Sequence, residues 1–375
     1  MIIKRIIQEP IEKDLFGGKA IIIYGARQVG KTTLVKQIQK KYLNESLYIN
    51  CDEPDVQQSL TGKTSTELFH FFQGKRLIII DEAQRVENIG MTLKLIVDNY
   101  PGIQVVATGS SSFELSNKIV EPLTGRAIEY TLYPFSVEEL QTIYDPIEMK
   151  RLLETRMLFG SYPAMVMGEK NRERTLITLA NNYTHKDILQ YHNIKNPEVL
   201  IKLLQALALQ IGNEVSYNEL ASLVGIDKVT VASYIQLLEK AFIIFRLNPF
   251  SRNLRNELKK MRKIYFYDTG IRNALINNFN TLDIRQDVGA LWENYVISER
   301  IKSNNNHFQN KNMYFWRTWD QKEIDLVEER GGVLSAFEVK WKVKKSKVPK
   351  DFLDAYQNSN FILINRDNFL DIFHN

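Results

Sequence analysis

The stretch that decides the fold is Ala20-Ile-Ile-Ile-Tyr-Gly25-Ala-Arg-Gln-Val-Gly30-Lys31-Thr32. It opens with a short, isoleucine-rich apolar run, which is typical of a strand buried on both faces. The remainder fits the pattern G-x-x-x-x-G-K-[ST] completely, and apolar residues then recur at helical spacing as far as Ile38. A glycine-rich turn between a strand and a helix surrounds a phosphate with backbone amides and the positive end of the helix. The stretch therefore predicts a P-loop within a parallel α/β sheet.

Each residue type in this loop has a physical reason. Gly25 and Gly30 let the backbone wrap around the phosphates. Lys31 is expected to reach the β- and γ-phosphates, and the Thr32 hydroxyl is expected to bind Mg²⁺. Thr33 follows in the same helical turn and is included in the predicted nucleotide site. The alternative is a chance glycine-rich turn, and a second motif argues against it. The loop therefore predicts ATP and Mg²⁺ as ligands.

The second motif is Leu77-Ile-Ile-Ile-Asp81-Glu82, an apolar run that ends in two acids. A buried strand with this pattern delivers its carboxylates to the carboxyl edge of the sheet, where α/β proteins bind their ligands. Asp81 is expected to hold Mg²⁺ through water, and Glu82 is expected to polarise the attacking water. A strand that simply ends in a charged turn is the alternative, and the neighbouring P-loop disfavours it.

Length and composition set the outer limits. The chain has 375 residues, 44% hydrophobic and 25% charged, which favours two or three domains of ordinary globular composition. Cys51 is the only cysteine, so an internal disulfide is excluded. The amino terminus is charged, and the apolar runs are too short to cross a bilayer. We therefore expect a cytoplasmic protein that does not enter a membrane.

Short apolar runs alternate with helical patterns over the first third of the chain. The predicted strands are residues 20–24, 47–50, 77–80 and 103–107. This alternation predicts a parallel sheet covered by helices. Residues 138–210 have a helical pattern without an obvious strand.

Two short helices and a β-hairpin are predicted between residues 216 and 268. Ser216-Tyr-Asn-Glu219 is a capping-box pattern at a helix start. Gly225 ends that helix, and Asp227 can cap a second one. This spacing predicts a helix-turn-helix.

The loop between the next two predicted strands, 242–247 and 263–267, is strongly basic. Its cationic residues outnumber Glu257 by a local excess of +6, more than the net charge of +5 of the whole chain. They are Arg246, Arg252, Arg255, Lys259, Lys260, Arg262 and Lys263. A winged helix with a basic wing predicts contact with the DNA backbone, mostly without sequence preference. A wing that only packs domains, or charges that only meet solvent, are alternatives that stay open.

Acidic residues gather in a predicted hairpin near the carboxy terminus. Glu323-Ile-Asp325-Leu and Phe337-Glu338-Val-Lys340 flank the turn Gly331-Gly332. A hairpin centred between Arg330 and Gly331 places Asp325 opposite Ala336 and Glu323 opposite Glu338. The predicted apolar face holds Ile324, Leu326, Phe337, Val339 and Trp341, and the other face holds Glu323, Asp325, Glu338 and Lys340. Opposed like charges repel, so we expect a divalent cation, Mg²⁺ or Mn²⁺, between the carboxylates.

The chain resembles the AAA+-like ATPases, and more closely the bacterial and archaeal family that joins such a domain to a carboxy-terminal domain of unknown function. Besides the P-loop, the resemblance rests on Ile80-Asp-Glu-Ala-Gln84, Ala107-Thr-Gly-Ser-Ser-Ser112, Leu123-Thr-Gly-Arg126, Leu132-Tyr-Pro-Phe-Ser136, Gly160-Ser-Tyr-Pro163, Lys263-Ile-Tyr-Phe-Tyr-Asp-Thr-Gly270 and Phe315-Trp-Arg-Thr318. It implies that Ser110 occupies the position that senses the γ-phosphate, where such ATPases often have Asn. It also implies that Arg126 is an arginine finger for a neighbouring subunit, and hence a homo-oligomer. The alternative for Arg126 is a surface turn residue.

The carboxy-terminal acids resemble the PD-(D/E)XK nucleases. Asp325 matches the first metal carboxylate of that family, and Glu338 with Lys340 matches its E-x-K element. Glu293, on the preceding predicted helix, matches the acidic residue of the first helix. The Pro that often precedes the first Asp is replaced by Ile324. The resemblance implies metal-activated water attacking a phosphodiester, with a nuclease-like fold kept for DNA binding or packing as the alternative.

The sequence thus predicts four parts. They are an AAA+-like P-loop ATPase domain at 1–140, a helical connector at 141–210, a winged helix at 211–280 and a nuclease-like α/β domain at 281–375. The leading hypothesis is a Mg²⁺-dependent ATPase associated with nucleic acid. The competing hypothesis is a nucleotide-driven switch or scaffold whose carboxy-terminal domains bind protein partners and are not catalytic.

Overall fold

The computed structural model describes residues 2–109, 122–182, 197–251, 262–318, 322–342 and 350–373. The chain divides into two compact units. We call residues 2–134 with 240–242 the amino-terminal unit, and residues 135–239 with 243–375 the carboxy-terminal unit. The finer division into four parts stays a prediction.

Helices and strands alternate in the amino-terminal unit. The elements are α1 (Gln8–Asp14), β1 (Ala20–Tyr24), α2 (Lys31–Gln39), β2 (Ser46–Asn50), α3 (Pro54–Leu60), α4 (Ser65–Phe71), β3 (Leu77–Asp81), α5 (Ile89–Asn99), β4 (Gln104–Gly109) and β5 (Ala127–Thr131). Short 3-10 turns lie at Lys40–Tyr42 and Ala83–Arg85. The four strands predicted from the sequence are confirmed, with ends that differ by at most two residues.

Within the described residues, these strands form one parallel sheet in the order β2-β3-β4-β1-β5. All residues of β1 and β3 are buried, as their uninterrupted apolar runs predict. Parallel strands place all their carboxyl ends at the same edge of the sheet. The loop after β1, the end of β3 and the end of β4 therefore meet at one edge.

The carboxy-terminal unit begins with helices and continues with strands. Its elements are α6 (Val137–Gln141), α7 (Pro146–Phe159), α8 (Pro163–Val166), α9 (Arg172–Asn182), α10 (Pro197–Leu209), β6 (Glu214–Val215), α11 (Tyr217–Val224), α12 (Lys228–Lys240), β7 (Ile244–Pro249), β8 (Arg262–Phe266), α13 (Thr269–Leu275), α14 (Val288–Asn306), β9 (Asn312–Arg317), β10 (Glu323–Arg330), β11 (Val333–Val339), α15 (Lys350–Ala355) and β12 (Ser359–Ile364). The 3-10 turns are Leu282–Ile284 and Asp371–Phe373. The helical pattern predicted for residues 138–210 is confirmed where the structure describes them.

One mixed sheet runs through this unit. Its strands, counted over the described residues, lie in the order β12-β11-β10-β9-β7-β8-β6. The predicted wing strands β7 and β8 are antiparallel, and β7 also pairs in parallel with β9, with Asn248 beside Tyr314. The predicted winged helix and the predicted nuclease-like part therefore share a sheet, which no local sequence pattern indicates.

The β10–β11 hairpin differs from its predicted register. Val327, not Asp325, pairs with Ala336, so the predicted pairing is wrong by two residues. The turn is the two-residue loop Gly331-Gly332, whose φ angles of +58° and +80° suit glycine. By continuation of this register, Glu338 falls opposite Asp325 rather than opposite Glu323.

The predicted apolar face of β10 is also wrong in one respect. The pairing of β10 with β9 shifts between Ile324 and Val327, which is a β-bulge. Ile324 consequently packs with Val327, Leu334 and Ala336 in one buried cluster. Simple alternation had grouped Ile324 with Leu326, and a bulge breaks that alternation because it adds one residue to the strand.

The predicted helix-turn-helix is present as a bent helix pair. α11 and α12 meet at 100°, an angle typical of this motif. Ser216 accepts the Glu219 N–H at 3.5 Å, and Asp227 accepts the Thr230 N–H at 2.9 Å. Among the described residues, no single helix has the length and apolarity to cross a membrane; α11 and α12 meet that criterion only when taken together.

Candidate nucleotide site and a carboxylate cluster

The P-loop has the backbone that its sequence requires. Gly25 approaches Leu132 so closely that a Cβ there would lie 2.3 Å from the Leu132 carbonyl oxygen. Gly30 has a φ of +101° and precedes the first residue of α2. Only glycine fits both conditions without strain. The loop therefore leaves β1 and enters α2 as a tight turn whose shape depends on these two glycines.

Lys31 lies inside the loop, with 4% of its surface exposed. Its ammonium group donates to the carbonyl oxygens of Gly25 at 2.8 Å and Ala26 at 2.9 Å. The side chain thus curls toward the backbone that is expected to wrap the phosphates.

Asp81, at the end of β3, is buried and surrounded by hydroxyl groups. The hydroxyl of Thr32 donates to one carboxylate oxygen at 2.7 Å, and that of Tyr48 donates to the same oxygen at 2.6 Å. The hydroxyl of Thr108 donates to the other oxygen. Burial, followed by the hydrogen bond to Asp81, raises the pKa of Tyr48, so its hydroxyl remains a donor at neutral pH.

Glu82 follows Asp81 in a left-handed backbone conformation, with a φ of +55°. A non-glycine residue in this conformation is uncommon, and it ends the strand at Asp81. Its N–H donates to the Thr108 hydroxyl at 3.1 Å, and its carboxylate accepts from Gln84 at 2.6 Å. Thr108 therefore contacts both acids of the site.

The donor set fits Mg²⁺ and a nucleotide. Thr32 and Asp81, the two residues predicted to hold the ion, are already 2.7 Å apart. Hydroxyl and carboxylate oxygens are ligands that Mg²⁺ prefers, and phosphate and water oxygens normally complete its shell. Lys31 lies in the loop that would carry the phosphates. Thr33, the remaining predicted residue, is exposed in the first turn of α2.

Tyr48 and Thr108 were not identified from the sequence. Thr108 directly follows the predicted strand 103–107, so the rule that ligands lie at the carboxyl ends of strands could have found it. Tyr48 lies inside β2, beside Ile79 of β3. No sequence signal indicates that its hydroxyl meets Asp81.

Ser110 and Arg126 are the two remaining residues predicted for the nucleotide site. Ser110 lies outside the described residues. Arg126 is described: its Nε donates to Asp98 at 2.6 Å, and both side chains are partly exposed. The neighbouring Ala127 pairs with Ala20 at the amino end of β1. Arg126 is thus separated from its own P-loop by the length of β1, on the order of 15 Å at about 3.3 Å per residue. It cannot act on its own nucleotide, and a role across a subunit interface stays a prediction.

In the carboxy-terminal unit, Lys263 of β8 lies in the middle of a carboxylate cluster. Its ammonium is 3.1 Å from Glu293 of α14 and also pairs with Glu323 of β10. Its side chain is 2% exposed and packs over the ring of Phe315. Burial alone lowers the pKa of Lys263, but the surrounding carboxylates raise it overall, so the group stays charged. The sequence had placed this lysine in a DNA-binding wing, which its burial contradicts.

Asp325, Glu338 and Lys340, which the sequence assigned to a metal site, form the second half of the cluster. Lys340 is 2.7 Å from Glu338 and 3.5 Å from Asp325. Asp325 is 6% exposed and accepts the N–H of Val339 at 2.8 Å. Burial, followed by the charge of Asp325, raises the pKa of Glu293 to about 7 and raises that of Glu338 as well.

A divalent metal does not fit these side chains as they are arranged. Lys263 lies between Glu293 and Glu323, and Lys340 contacts Asp325 and Glu338. In the part of the chain that the structure describes, no three acidic, histidine or cysteine side chains converge to hold a metal ion.

Two arginines of the predicted basic hairpin contact other side chains of the protein, so they are less available to bind DNA than the sequence indicates. Arg246 pairs with Glu239 at 2.5 Å and donates to the Tyr217 hydroxyl at 3.1 Å. Arg262 lies over the ring of Tyr217. The remaining cations of the loop, Arg252, Arg255, Lys259 and Lys260, lie outside the described residues.

Comparison with family models agrees with the nucleotide site. Residues 17–141 match the model described as an AAA domain. Residues 150–282 and 288–372 match two models described as domains of unknown function. With the parallel sheet and the P-loop, the first match supports a domain of the P-loop ATPase class, for which ATP binding is the expected property.

Relatives that match most of this chain occur in distant organisms. An uncharacterized protein of Methanocaldococcus jannaschii is 24% identical over 86% of this chain and 75% of its own length. An uncharacterized protein of Haemophilus influenzae is 23% identical over 92% of this chain and 88% of its own length. Among solved structures, the Walker-type ATPase PABY2304 of Pyrococcus abyssi is 17% identical, with a TM-score of 0.49 over 73% of this chain and 96% of its own.

Proposed function

We propose that the chain binds Mg²⁺-ATP at the P-loop and hydrolyses it. The observation that carries the proposal is the contact between Thr32 and Asp81, 2.7 Å apart beside the loop that holds Lys31. Two distant segments of sequence, the P-loop and the end of β3, supply these groups, and the sheet edge brings them together. Bound Mg²⁺ would neutralise charge on the phosphates.

Lys31 is the residue that recognises the phosphates. Its ammonium now donates to the Gly25 and Ala26 carbonyls, and with ATP bound it would be free to donate to the β- and γ-phosphate oxygens instead. Thr32 and Asp81, which contact each other here, are the residues that would hold the ion.

Glu82 is the residue that orients and polarises the attacking water. Its carboxylate is held by Gln84 and its backbone by Thr108, so its direction is set before the nucleotide arrives. Fixed groups of this kind lower the reorganisation needed in the transition state.

Two substitutions separate binding from turnover. Lys31→Ala should weaken ATP binding at least tenfold. Glu82→Gln should keep the affinity and lower kcat at least a hundredfold, because the amide keeps the shape and loses the base. Titration with a fluorescent ATP analogue and phosphate release measure the two effects. Lys40→Ala and Glu87→Gln, at exposed neighbouring positions, are the matched controls. Unchanged hydrolysis in either site variant would remove the mechanism.

We further propose that the ATPase works on DNA, with the carboxy-terminal unit as a holding module. The support is the 100° helix pair and the exposed side of α12, which presents Lys228, Val229, Ser233 and Gln236. Small polar and methyl-bearing side chains on a second helix suit the major groove. The competing function is a switch or scaffold that binds protein partners through the same unit.

DNA should stimulate ATP hydrolysis several-fold if the first function is right. Neutral replacements at Arg252, Arg255, Lys259 and Lys260 should weaken DNA binding for all sequences alike and flatten its salt dependence, because fewer counterions are released. Hydrolysis that is indifferent to DNA, with no measurable DNA binding, would favour the switch or scaffold.

A further inference from the structure

The carboxylate cluster of the carboxy-terminal unit is organised around two lysines. Lys263 contacts Glu293 and Glu323, and Lys340 contacts Asp325 and Glu338. Each ammonium group therefore lies against two carboxylates that come from different strands or helices. A divalent metal in a nuclease would make the same kind of connection.

We propose that Lys263 and Lys340 are the resident cations of this cluster and take the place of a divalent metal, so that this unit does not cleave nucleic acid. The proposal concerns a site separate from ATP hydrolysis and does not depend on it.

The side chain of Lys263 is enclosed by the protein. Only 2% of its side chain is exposed, and its ammonium approaches the ring of Phe315 to 5.7 Å. A metal ion needs oxygen ligands at about 2.1 Å and several waters. An ammonium held by Glu293 and Glu323 fills the space between those carboxylates and repels a second cation.

One carboxylate oxygen of Glu293 and one of Asp325 already accept hydrogen bonds from the protein. Oε1 of Glu293 accepts from Lys263 at 3.1 Å and from the Tyr265 hydroxyl at 2.5 Å. Oδ2 of Asp325 accepts the N–H of Val339 at 2.8 Å and lies 3.5 Å from the ammonium of Lys340. A metal ion that used these two oxygens would compete with the hydrogen bonds that they already accept.

The cluster joins elements from both of the predicted parts that share one sheet. Lys263 belongs to β8, in the predicted wing, whereas Glu323 belongs to β10 and Glu293 to α14. The lysine thus supplies from the wing strand the positive charge that the acids need.

The test removes one resident cation and offers a metal. Lys263→Met keeps much of the side-chain volume and removes the charge. We expect Mn²⁺ to raise the melting temperature of the full-length Lys263→Met chain by on the order of 3 °C, by mass action on the folded state. The parent chain and Lys263→Arg should not respond. Saturating Mg²⁺-ADP in all samples keeps the nucleotide site occupied.

Further variants distinguish metal binding at this cluster from other causes of a Mn²⁺ response. Adding Glu293→Gln to Lys263→Met should abolish the Mn²⁺ response, because the new site loses a ligand. If Lys263→Met does not fold, Lys340→Met serves instead, since Lys340 is 41% exposed and its loss is milder. A Mn²⁺ shift in the parent that disappears in Asp325→Asn, or Mn²⁺-dependent DNA cutting by the parent, overturns the proposal. Absence of any shift in both lysine variants also overturns it.

Discussion

Thr108 connects the two acids of the nucleotide site. Its hydroxyl donates to Asp81 and accepts the N–H of Glu82, and the side chain is fully buried. We interpret it as a positioning residue, because it acts through the two carboxylates and not on the nucleotide itself.

Thr108→Val keeps the shape of that side chain and removes both hydrogen bonds. We expect kcat for ATP hydrolysis to fall on the order of tenfold, which corresponds to about 1.4 kcal/mol, with KM changed much less. Thr108→Ser restores the hydroxyl and should recover most of the rate. Equal kcat for the Val and Thr enzymes would show that the contact does not position the acids.

At the scale of elements, two of the sequence segments on which the family resemblance rests, 160–163 and 263–270, contact each other. Asp268 caps α13 by accepting the N–H groups of Gly270 at 2.9 Å and Ile271 at 3.2 Å, and it also accepts the N–H of Ser161 at 2.7 Å. Gly160 lies so close that a Cβ would approach an Asp268 carboxylate oxygen to 1.9 Å. The motifs around residues 160 and 268 are therefore one structural joint between α7 and α13.

Gly160→Ala should destabilise the protein by about 2–4 kcal/mol, because it adds a steric clash to the cost of a φ of +71° with a ψ of −165°, a conformation that is essentially restricted to glycine. Gly168→Ala is the matched control: its φ is +88°, but no atom lies within 4 Å of the added Cβ. That change should cost only about 1–2 kcal/mol. Chemical denaturation measures both. The same loss in the two variants would mean that backbone strain alone explains the glycine at 160.

At the scale of the whole molecule, Arg126 raises the question of assembly. It lies at the amino end of β1, too far from its own P-loop, and pairs with the partly exposed Asp98. An arginine finger in this position can serve only a neighbouring subunit, in a head-to-tail contact.

Mixing inactive variants tests this arrangement. Arg126→Ala and Lys31→Ala chains should each be nearly inactive alone. A 1:1 mixture should regain activity, because about a quarter of head-to-tail interfaces then join an intact P-loop to an intact finger. Asp98→Asn is the control, since it removes the ion pair and keeps the finger. Full ATPase activity in a strictly monomeric chain would rule out the role in trans.

The parts of the fold that depend on residues close together in the sequence could be predicted from it. The P-loop was found because its strand, glycines, lysine and helix start lie within residues 20–32, so local backbone chemistry determines them. The strands of the parallel sheet were found because burial on both faces leaves an uninterrupted apolar run. The caps at Ser216 and Asp227 were found for the same local reason.

The tertiary structure alone decided which distant side chains meet. Thr108 joins Asp81 and Glu82 only because β4 pairs with β3 in a parallel sheet. The register of the β10–β11 hairpin depended on which two residues form its turn, and the pairing of β10 with β9 depended on a bulge. A one-residue error in such a feature moves the pairings of the whole strand pair. Lys263 looked like a DNA-binding cation because its neighbours in sequence are basic. Its charge is instead enclosed by Glu293 and Glu323, which come from a helix and a strand far along the chain, and long-range packing of this kind leaves no periodic signal in the sequence.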